Sequence, residues 1–536
     1  MNGRRARAAR PAGRGPRHAF CAWWGGGGGA RPTLRVARQS HSRITCSAVR
    51  GGASLALILL PSTAYAHVFL QPYTLPVPFW IYLYACAATL VVSFAIVGAL
   101  MGAVAPARTV RGWDILPEGP SWQAAWTWVV RVLRACALAA LLLTIVAGFV
   151  GTANPLANIN MTLFWVAFLL GFTYFTVIFG NIYALINPWR SLVEWIETLG
   201  LDLSKSRLRY PGRLGYLPAV AFYVALIWIE LFTFPMPHFL SVALIVYTMA
   251  TLAGVLVFGR RIWFEYAELF SVLFRVVGTL APVEYIDGAD GRPARVRLRP
   301  PLMAALHEQP GHATLVLFVL FMLSSTTYDA IHETFFWVSI YWQDLLPLFQ
   351  PLVGADPVQA QGVLTAWYMV YQRLGLVLSP FIYLLLYLIV LKAATRLTGT
   401  KVPLRTMAVQ FTFSLVPIAL VYHATHYYTI LITEFPKLLP LASDPFGLGW
   451  QLFATTARPF VPLDMGFIWH TQVLLMLAGH VAGVYLAHVM AMQIFPSQRL
   501  GIVSQIPMLM LMVVYTCVGL WVLSLPLATP QVLPIG

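Results

Sequence analysis

The segment from His312 to Trp337 is apolar and long enough to cross a bilayer, yet it contains Asp329, His332 and Glu333. Ionisable groups at membrane depth are costly to bury, so they usually face the inside of a helical bundle and serve a function. Carboxylates and imidazoles are also the side chains that bind metal ions and transfer protons. This segment is therefore the first candidate for a functional site.

Two more apolar segments supply imidazoles. The segment LVYHATHYYTILI contains His423 and His426, and the segment IWHTQVLLMLAGHVAGVYLAHVMAM contains His470, His480 and His488. The last two histidines lie deeper in their segment than the first. We interpret them as packed residues or as support for ligands, not as ligands themselves.

The spacing of these groups places several of them on common helix faces. Asp329 lies three residues before His332 and four before Glu333, so the three share one face. A carboxylate three residues from a histidine, facing similar ligands on other helices, resembles the way in which bundle proteins hold two metal ions. Imidazoles with carboxylates suit Zn, Fe or Mn. The sequence therefore predicts a divalent metal site with these ligands: Asp329, His332, His423, His426 and His470.

Helix geometry predicts a common depth for these groups. At ~1.5 Å per residue, Asp329, His332 and Glu333 lie roughly 6 to 12 Å below the outer end of their helix, and the histidines of the second segment roughly 9 to 14 Å below theirs. Glu230 and His470 lie about 6 Å below the same surface. Glu333 and Glu230 are the carboxylates that we predict to act in catalysis.

Other uses of the same groups stay open. They could form a proton or ion path, or a polar network without chemistry. A haem held between His423 and His470 is less favoured, because it leaves the nearby carboxylates unexplained. Copper at an N-terminal His67 is also less favoured, since processing can simply end at that residue.

The composition indicates which solvent surrounds the chain. Hydrophobic residues make up 59% of the 536 residues and charged residues only 10%, and the mean hydropathy is +0.73. These values are typical of a polytopic membrane protein in contact with the lipid bilayer. The net charge of +16 does not indicate nucleic-acid binding, because 11 of the 35 Lys and Arg precede His67 and most others lie between apolar segments.

The N-terminal region, residues 1–66, has the features of a segment that is removed. Residues 1–50 are rich in Arg and Gly and predict a disordered basic segment. Arg50, the apolar stretch LALILLP and the sequence Ala64-Tyr65-Ala66 then form a signal peptide with cleavage before His67. Residues 67–536 form the predicted transmembrane domain.

Continuous apolar runs predict an all-α bundle of about ten transmembrane helices. With His67 outside, the loops placed inside hold most of the Lys and Arg, whereas the loops placed outside hold only Lys437 and Arg458. This asymmetry predicts an N-out, C-out orientation. The predicted spans are 79–104, 129–150, 161–186, 214–234, 238–258, 312–337, 370–391, 406–432, 466–494 and 505–527.

The loop 259–311 lies inside in this topology. It contains the sequence VEYIDGADGRPARVRL, in which Asp290-Gly291 separates two short alternating runs. This pattern predicts a cytoplasmic hairpin with a structural role.

Four stretches resemble a bacterial membrane-protein family carried under the name fenitrothion hydrolase. They are LQPYTLPVPFWIYL after His67, NIYALINPWRSLVEW (181–195), SDPFGLGW (443–450) and GHVAGVYLAHVMAMQIFPSQRLGIVSQIPMLMLMVVYT (479–516). The resemblance covers most of the chain after residue 67. It implies a multi-pass protein of the bacterial inner membrane, and a second membrane subunit is a further partner that it suggests.

The activity that this resemblance implies is hydrolysis of a neutral organophosphate triester to a dialkyl phosphate and a phenol. Such an apolar small molecule would collect in the bilayer. A metal ion could lower the pKa of bound water toward ~7 and so supply the attacking hydroxide. The expected function is therefore a metal-dependent hydrolase with its site near the periplasmic face.

Two other classes of function use the same buried groups. One is an ion- or proton-coupled permease, although the sequence shows no clear internal repeat and no paired broken helices. The other is a non-catalytic subunit of a membrane complex.

A metal site makes a direct prediction. We expect the purified protein to contain stoichiometric metal, and the substitutions His332→Ala and His423→Ala to remove it, because each deletes a predicted ligand. Elemental analysis of the three proteins measures this. Metal-free wild-type protein would contradict the metal hypothesis.

Overall fold

The structure is a computed structural model that describes residues 77–100, 112–115, 119–233, 236–286, 295–308, 311–353, 357–453 and 464–525. Most of these residues are helical, which confirms the predicted all-α class. The predicted basic segment and signal peptide (residues 1–66), His67 and the Asp290-Gly291 turn lie outside the described residues.

Long apolar helices dominate the described ranges, and nine of them are long enough to cross a bilayer. Two shorter apolar helices, α4 and α6, complete the set. In chain order the helices are α1 Phe79–Leu100, α2 Pro120–Val150, α3 Ile159–Phe179, α4 Leu217–Phe232, α5 Pro237–Phe258, α6 Leu269–Gly278, α7 Leu315–His332, α8 Gln361–Thr398, α9 Leu404–His426, α10 Met465–Ile494 and α11 Gln498–Ser524.

Each of the ten predicted spans overlaps one of these helices, so the polytopic helical bundle is confirmed. One predicted span, 214–234, corresponds to a helix that is too short for a full span, because α4 has only 16 residues. At ~1.5 Å per residue this is shorter than the ~20 residues that a full span needs. The N-out, C-out orientation stays a prediction.

Shorter helices connect these elements, and several continue a long helix after a local break. In the described part of the chain they are Tyr183–Ile186, Pro188–Thr198, Arg260–Ile262, Met303–His307, Phe335–Ser339, Leu346–Val353, Tyr428–Glu434 and Leu438–Ser443, with π-helical turns at Trp263–Ala267 and Ile340–Leu345 and a 3₁₀ turn at Phe435–Lys437. Helix α3 itself contains a π-helical stretch, Thr162–Gly171.

The two short runs of the predicted hairpin form strands of a small antiparallel sheet. Strand β1 is Trp113–Asp114, β2 is Val283–Ile286 and β3 is Arg295–Leu298, in the order β1-β3-β2. Arg299 Nη1 lies 3.0 Å from Glu284 Oε1 beside the sheet. Burial lowers the pKa of Arg299, and the Glu284 carboxylate opposes this shift.

The predicted loop 259–311 also contains α6, an apolar helix that lies in the core. Its N-cap is Glu268, a fully buried carboxylate. The Glu268 carboxylate accepts hydrogen bonds from Ser271 N at 2.8 Å, Tyr247 Oη at 2.6 Å and Asn187 Nδ2 at 3.0 Å. Because its oxygens are so well bonded, this acid has a structural role as a helix cap.

Helix α7 lies at the centre of the bundle. Fifteen of its eighteen residues are buried, and it packs against α4, α8, α9 and α11. Peripheral helices such as α1, α2 and α8 expose large apolar side chains, as expected for helices that face lipid. The polar residues of α7 therefore lie inside protein and not in lipid.

Small residues let α10 approach α9 closely. A Cβ atom on Gly483 would lie 2.9 Å from the Ser414 carbonyl oxygen, and one on Gly479 would lie 2.2 Å from a methyl carbon of Val421. Helices in membranes pack through close backbone contact at such small residues. This packing fixes the position of α9, which carries His423.

The substitution Gly483→Ala tests this packing. We expect it to lower the free energy of unfolding by about 1–3 kcal/mol, because the new methyl group meets backbone that cannot move freely. Thermal unfolding in detergent measures the effect. The control is Gly362→Ala, where the new methyl group meets nothing within 4 Å; equal loss in both variants would contradict the close approach.

Candidate functional site

Two long helices break at the level of the predicted site. Helix α7 ends at His332, and after Glu333 and Thr334 a new helix begins at Phe335. Helix α9 ends at His426, Tyr427 forms a turn with φ −93° and ψ 9°, and a new helix begins there. The sequence analysis did not predict these two breaks.

Asp329 has two short side-chain contacts to the end of α9. Its side chain is buried with 4% exposure. Its Oδ2 atom lies 2.8 Å from His426 Nε2 and 2.6 Å from Tyr427 Oη. An ionised carboxylate only accepts hydrogen bonds, so both neighbours act as donors when Asp329 is charged.

Glu230 joins the same group through Tyr427. The Tyr427 hydroxyl lies 3.2 Å from Glu230 Oε1, and the tyrosine itself is buried with 5% exposure. One hydroxyl therefore lies within hydrogen-bond distance of two carboxylates from two different helices. A phenol has a single proton, so it can donate to only one of them at a time.

His423 lies beside this group but bonds to another helix. Tyr174 Oη of α3 lies 2.9 Å from His423 Nδ1, and the ring centroids of His423 and Tyr427 are 4.7 Å apart. The site therefore draws on α3, α4, α7 and α9.

His332 is buried beside Asp329 without a short contact to its carboxylate. Its Nδ1 atom lies 2.8 Å from the Asp329 main-chain oxygen and 3.9 Å from Asp329 Oδ1. Its Nε2 atom lies 3.9 Å from Glu333 Oε1. Gln372 of α8 fixes the end of α7 by donating to the His332 carbonyl oxygen at 3.1 Å.

His470 does not join this group. It is exposed at the surface of α10. Its Nδ1 atom lies 2.7 Å from the Gly466 carbonyl oxygen, and its Nε2 atom lies 3.3 Å from Tyr82 Oη of α1. His480 is buried, with Nδ1 2.8 Å from the Met476 carbonyl oxygen, as expected for a packed histidine.

The predicted metal site stays a prediction. In the described ranges, no group of three or more His, Cys, Asp or Glu side chains is placed to hold an ion. Two of the predicted ligand atoms, Asp329 Oδ2 and His426 Nε2, are instead bonded to each other. The geometry instead resembles a hydrogen-bonded chain of acid, phenol, acid and imidazole.

A small cavity of about 20 Å³ opens between Glu230 and His423. Thr173 and Tyr223 also line it. A buried water needs about 10–15 Å³ of such space and two to four polar partners. The cavity therefore has the size for a water molecule or a small ion, and is far below the ~300–1,000 Å³ of pockets for drug-sized ligands.

The electrostatic setting of the site favours positive charge. Helices α4, α7 and α9 end at Phe232, His332 and His426, within a few residues of the two carboxylates. The C-terminal end of a helix carries partial negative charge and free carbonyl oxygens. A proton or another small cation is thus the ligand that this arrangement attracts.

Sequence reasoning missed the two tyrosines that organise the site. Tyr427 and Tyr174 were indistinguishable from ordinary aromatic residues of a membrane protein, because their role depends on neighbours from other helices. The one local signal was the position of Tyr427 directly after His426 in a helix pattern rich in polar residues.

Comparison with protein-family models, with curated proteins and with solved structures gives no match for this chain.

The substitution Tyr427→Phe tests the central hydroxyl. We expect it to lower the free energy of unfolding by about 1–3 kcal/mol, because buried Asp329 loses a hydrogen-bond donor while the ring packing stays. Thermal unfolding of the purified protein measures this. Tyr428→Phe is the matched control, since that neighbouring hydroxyl contacts neither carboxylate; similar losses in both variants would refute the bridging role.

Proposed function

We propose that the chain is a proton-coupled permease in which Glu230, Tyr427, Asp329 and His426 hold the coupling proton. One observation carries the proposal. The Tyr427 hydroxyl lies between two carboxylates, 2.6 Å from Asp329 Oδ2 and 3.2 Å from Glu230 Oε1.

A count of protons supports this choice. If both acids were ionised, Tyr427 would satisfy one of them, and the second contact would bring two acceptor oxygens together. One additional proton on Glu230 resolves the conflict, because Glu230 then donates to the Tyr427 oxygen while Tyr427 donates to Asp329. The site therefore binds one proton more than two separate ionised acids would.

The same chain of hydrogen bonds allows that proton to move. Glu230 gives its proton to the Tyr427 oxygen as Tyr427 passes its own proton to Asp329 Oδ2. Afterwards Asp329 is the acid, Glu230 is the carboxylate, and Tyr427 donates to Glu230. One positive charge has then crossed from α4 to α7 without any bulk movement of the protein.

The broken helices support a transport role. Discontinuous helices with ends directed at a coupling ion are typical of secondary transporters. Here α7 and α9 both end beside Asp329, at His332 and His426. We expect a proton on the site to bias the equilibrium between two arrangements of these helix ends.

A metal-dependent hydrolase of apolar organophosphate triesters, which the sequence resemblance implies, is the second candidate. The pairing of Asp329 with His426 and the nearby His332 supports it, since these are the predicted ligands. A three-ligand set is missing from the described residues, and the cavity beside Glu230 is small. We therefore place it behind the permease and derive no catalytic step for it.

Infrared difference spectroscopy tests proton binding without knowledge of a transported solute. We expect a carboxylic-acid carbonyl band that disappears at high pH in the wild-type protein and is missing in Glu230→Gln or Asp329→Asn. Glu434→Gln is the control. That acid forms an ion pair with Lys437 at a distance of 2.6 Å, and it is not part of the group around Tyr427. An unchanged band in both site variants would refute the proton site.

Proteoliposomes then separate the two candidate functions. With a pH-sensitive dye inside, a permease should give solute-dependent proton uptake from a panel of small solutes, at least about tenfold slower in Glu230→Gln. A hydrolase should instead release nitrophenol from a nitrophenyl phosphotriester, and only when metal is present. Metal-dependent nitrophenol release without proton uptake would reverse our order of preference.

A further inference from the structure

A second and larger cavity, of about 250 Å³, lies between α2, the π-helical stretch of α3, and α5. We propose that it binds an uncharged, flat ring compound that enters from the bilayer. The binding site is separate from the proton site, and the proposal stands whether or not the chain is a permease.

One wall of the cavity is a row of aromatic rings. Phe164, Phe168 and Phe172 line it, with centroid distances of 5.9 Å between the first two and 6.2 Å between the last two. Phe270 and Phe274 of α6 brace this row from behind, at 4.9 Å from Phe168 and 5.0 Å from Phe172. The wall is therefore held open by buried packing and does not depend on a ligand for its shape.

Small side chains from α2 and α3 also line the cavity. Ala137 and Ala140 of α2, three residues apart on one helix face, line the cavity together with Ala167 of α3. All three alanines are only partly buried, and the proposed entrance is the boundary between α2 and α3. A ligand dissolved in the bilayer can reach the cavity through this boundary.

The cavity lies beside the π-helical stretch of α3. Thr162–Gly171 forms ten residues of π-helix, a conformation that is rare and frequently found at functional sites. Protein interiors otherwise contain few voids larger than a water molecule. A preformed void beside a rare backbone conformation is thus a feature that packing alone does not explain.

The lining excludes water and charged ligands. Nearly all of it is carbon, and the Thr144 hydroxyl already donates to the Ala140 carbonyl oxygen at 2.7 Å. A water molecule needs two to four polar partners, whereas an apolar cavity of ~150 Å³ stays dry and binds benzene. A cavity of 250 Å³ has room for a larger ring system, and the row of Phe rings offers offset or edge contacts to it.

Helix α3 connects this cavity with the proton site. Phe172 lines the large cavity, the next residue, Thr173, lines the small one, and Tyr174 contacts His423. A ligand between α2 and α3 thus lies one helical turn from the hydrogen-bonded group.

Photolabelling tests the proposal with a phenyl diazirine, an uncharged ring that carries a photoreactive group. We expect saturable labelling of peptides from α2 and α3 in the intact protein, mapped by mass spectrometry. Excess naphthalene should compete, whereas excess hexadecane should not. Equal competition by hexadecane would identify a lipid chain as the occupant and overturn the ring proposal.

Cavity-filling variants test whether the label binds in this cavity. Ala140→Leu on α2 and Ala167→Leu on α3 should each lower labelling about tenfold, because the larger side chain occupies the ligand's space. Ala139→Leu is the matched control, because Ala139, the residue next to Ala140 on α2, is exposed. Only variants with the same thermal unfolding midpoint as the wild-type protein are compared. Unchanged labelling in such variants would overturn the proposal.

Discussion

The carboxylate of Asp329 is the constraint on which the arrangement of the central helices depends. A buried charge in a membrane bundle must find partners, because neither water nor lipid can stabilise it. Its partners, His426 and Tyr427, come from the end of α9, where the helix breaks and turns. The break is thus the means by which two adjacent residues direct an imidazole and a phenol at one acid.

The same helices bring polar chemistry and apolar space close together. Helix α3 has a π-helical stretch that lines a cavity of about 250 Å³, and one turn further it gives Tyr174 to His423. Interrupted or widened helices therefore occur at each part of the molecule to which we assign a function. Regular helices such as α10, packed through Gly479 and Gly483, supply the rigid frame around them.

The candidate site was partly predictable. The spacing of Asp329 and His332 and the depth of Glu230 and His426 placed these groups in one layer, and the structure brings them together. His470 had the same predicted depth but contacts Tyr82 on another face of the bundle. Depth follows from position along a helix, whereas the direction of a side chain depends on which neighbour that helix packs against.

The sequence by itself determined the solvent, the helical class and most of the spans, because each of these follows from local composition and from the need to pair backbone groups inside a bilayer. It also identified the costly buried acids. Only the tertiary structure decided which groups those acids contact, since Tyr427 bonds to Glu230 and Asp329, which lie 197 and 98 residues before it in the chain. Neither the breaks in α7 and α9 nor the space beside α3 follows from local pattern, because both arise from how helices distant in sequence fit together.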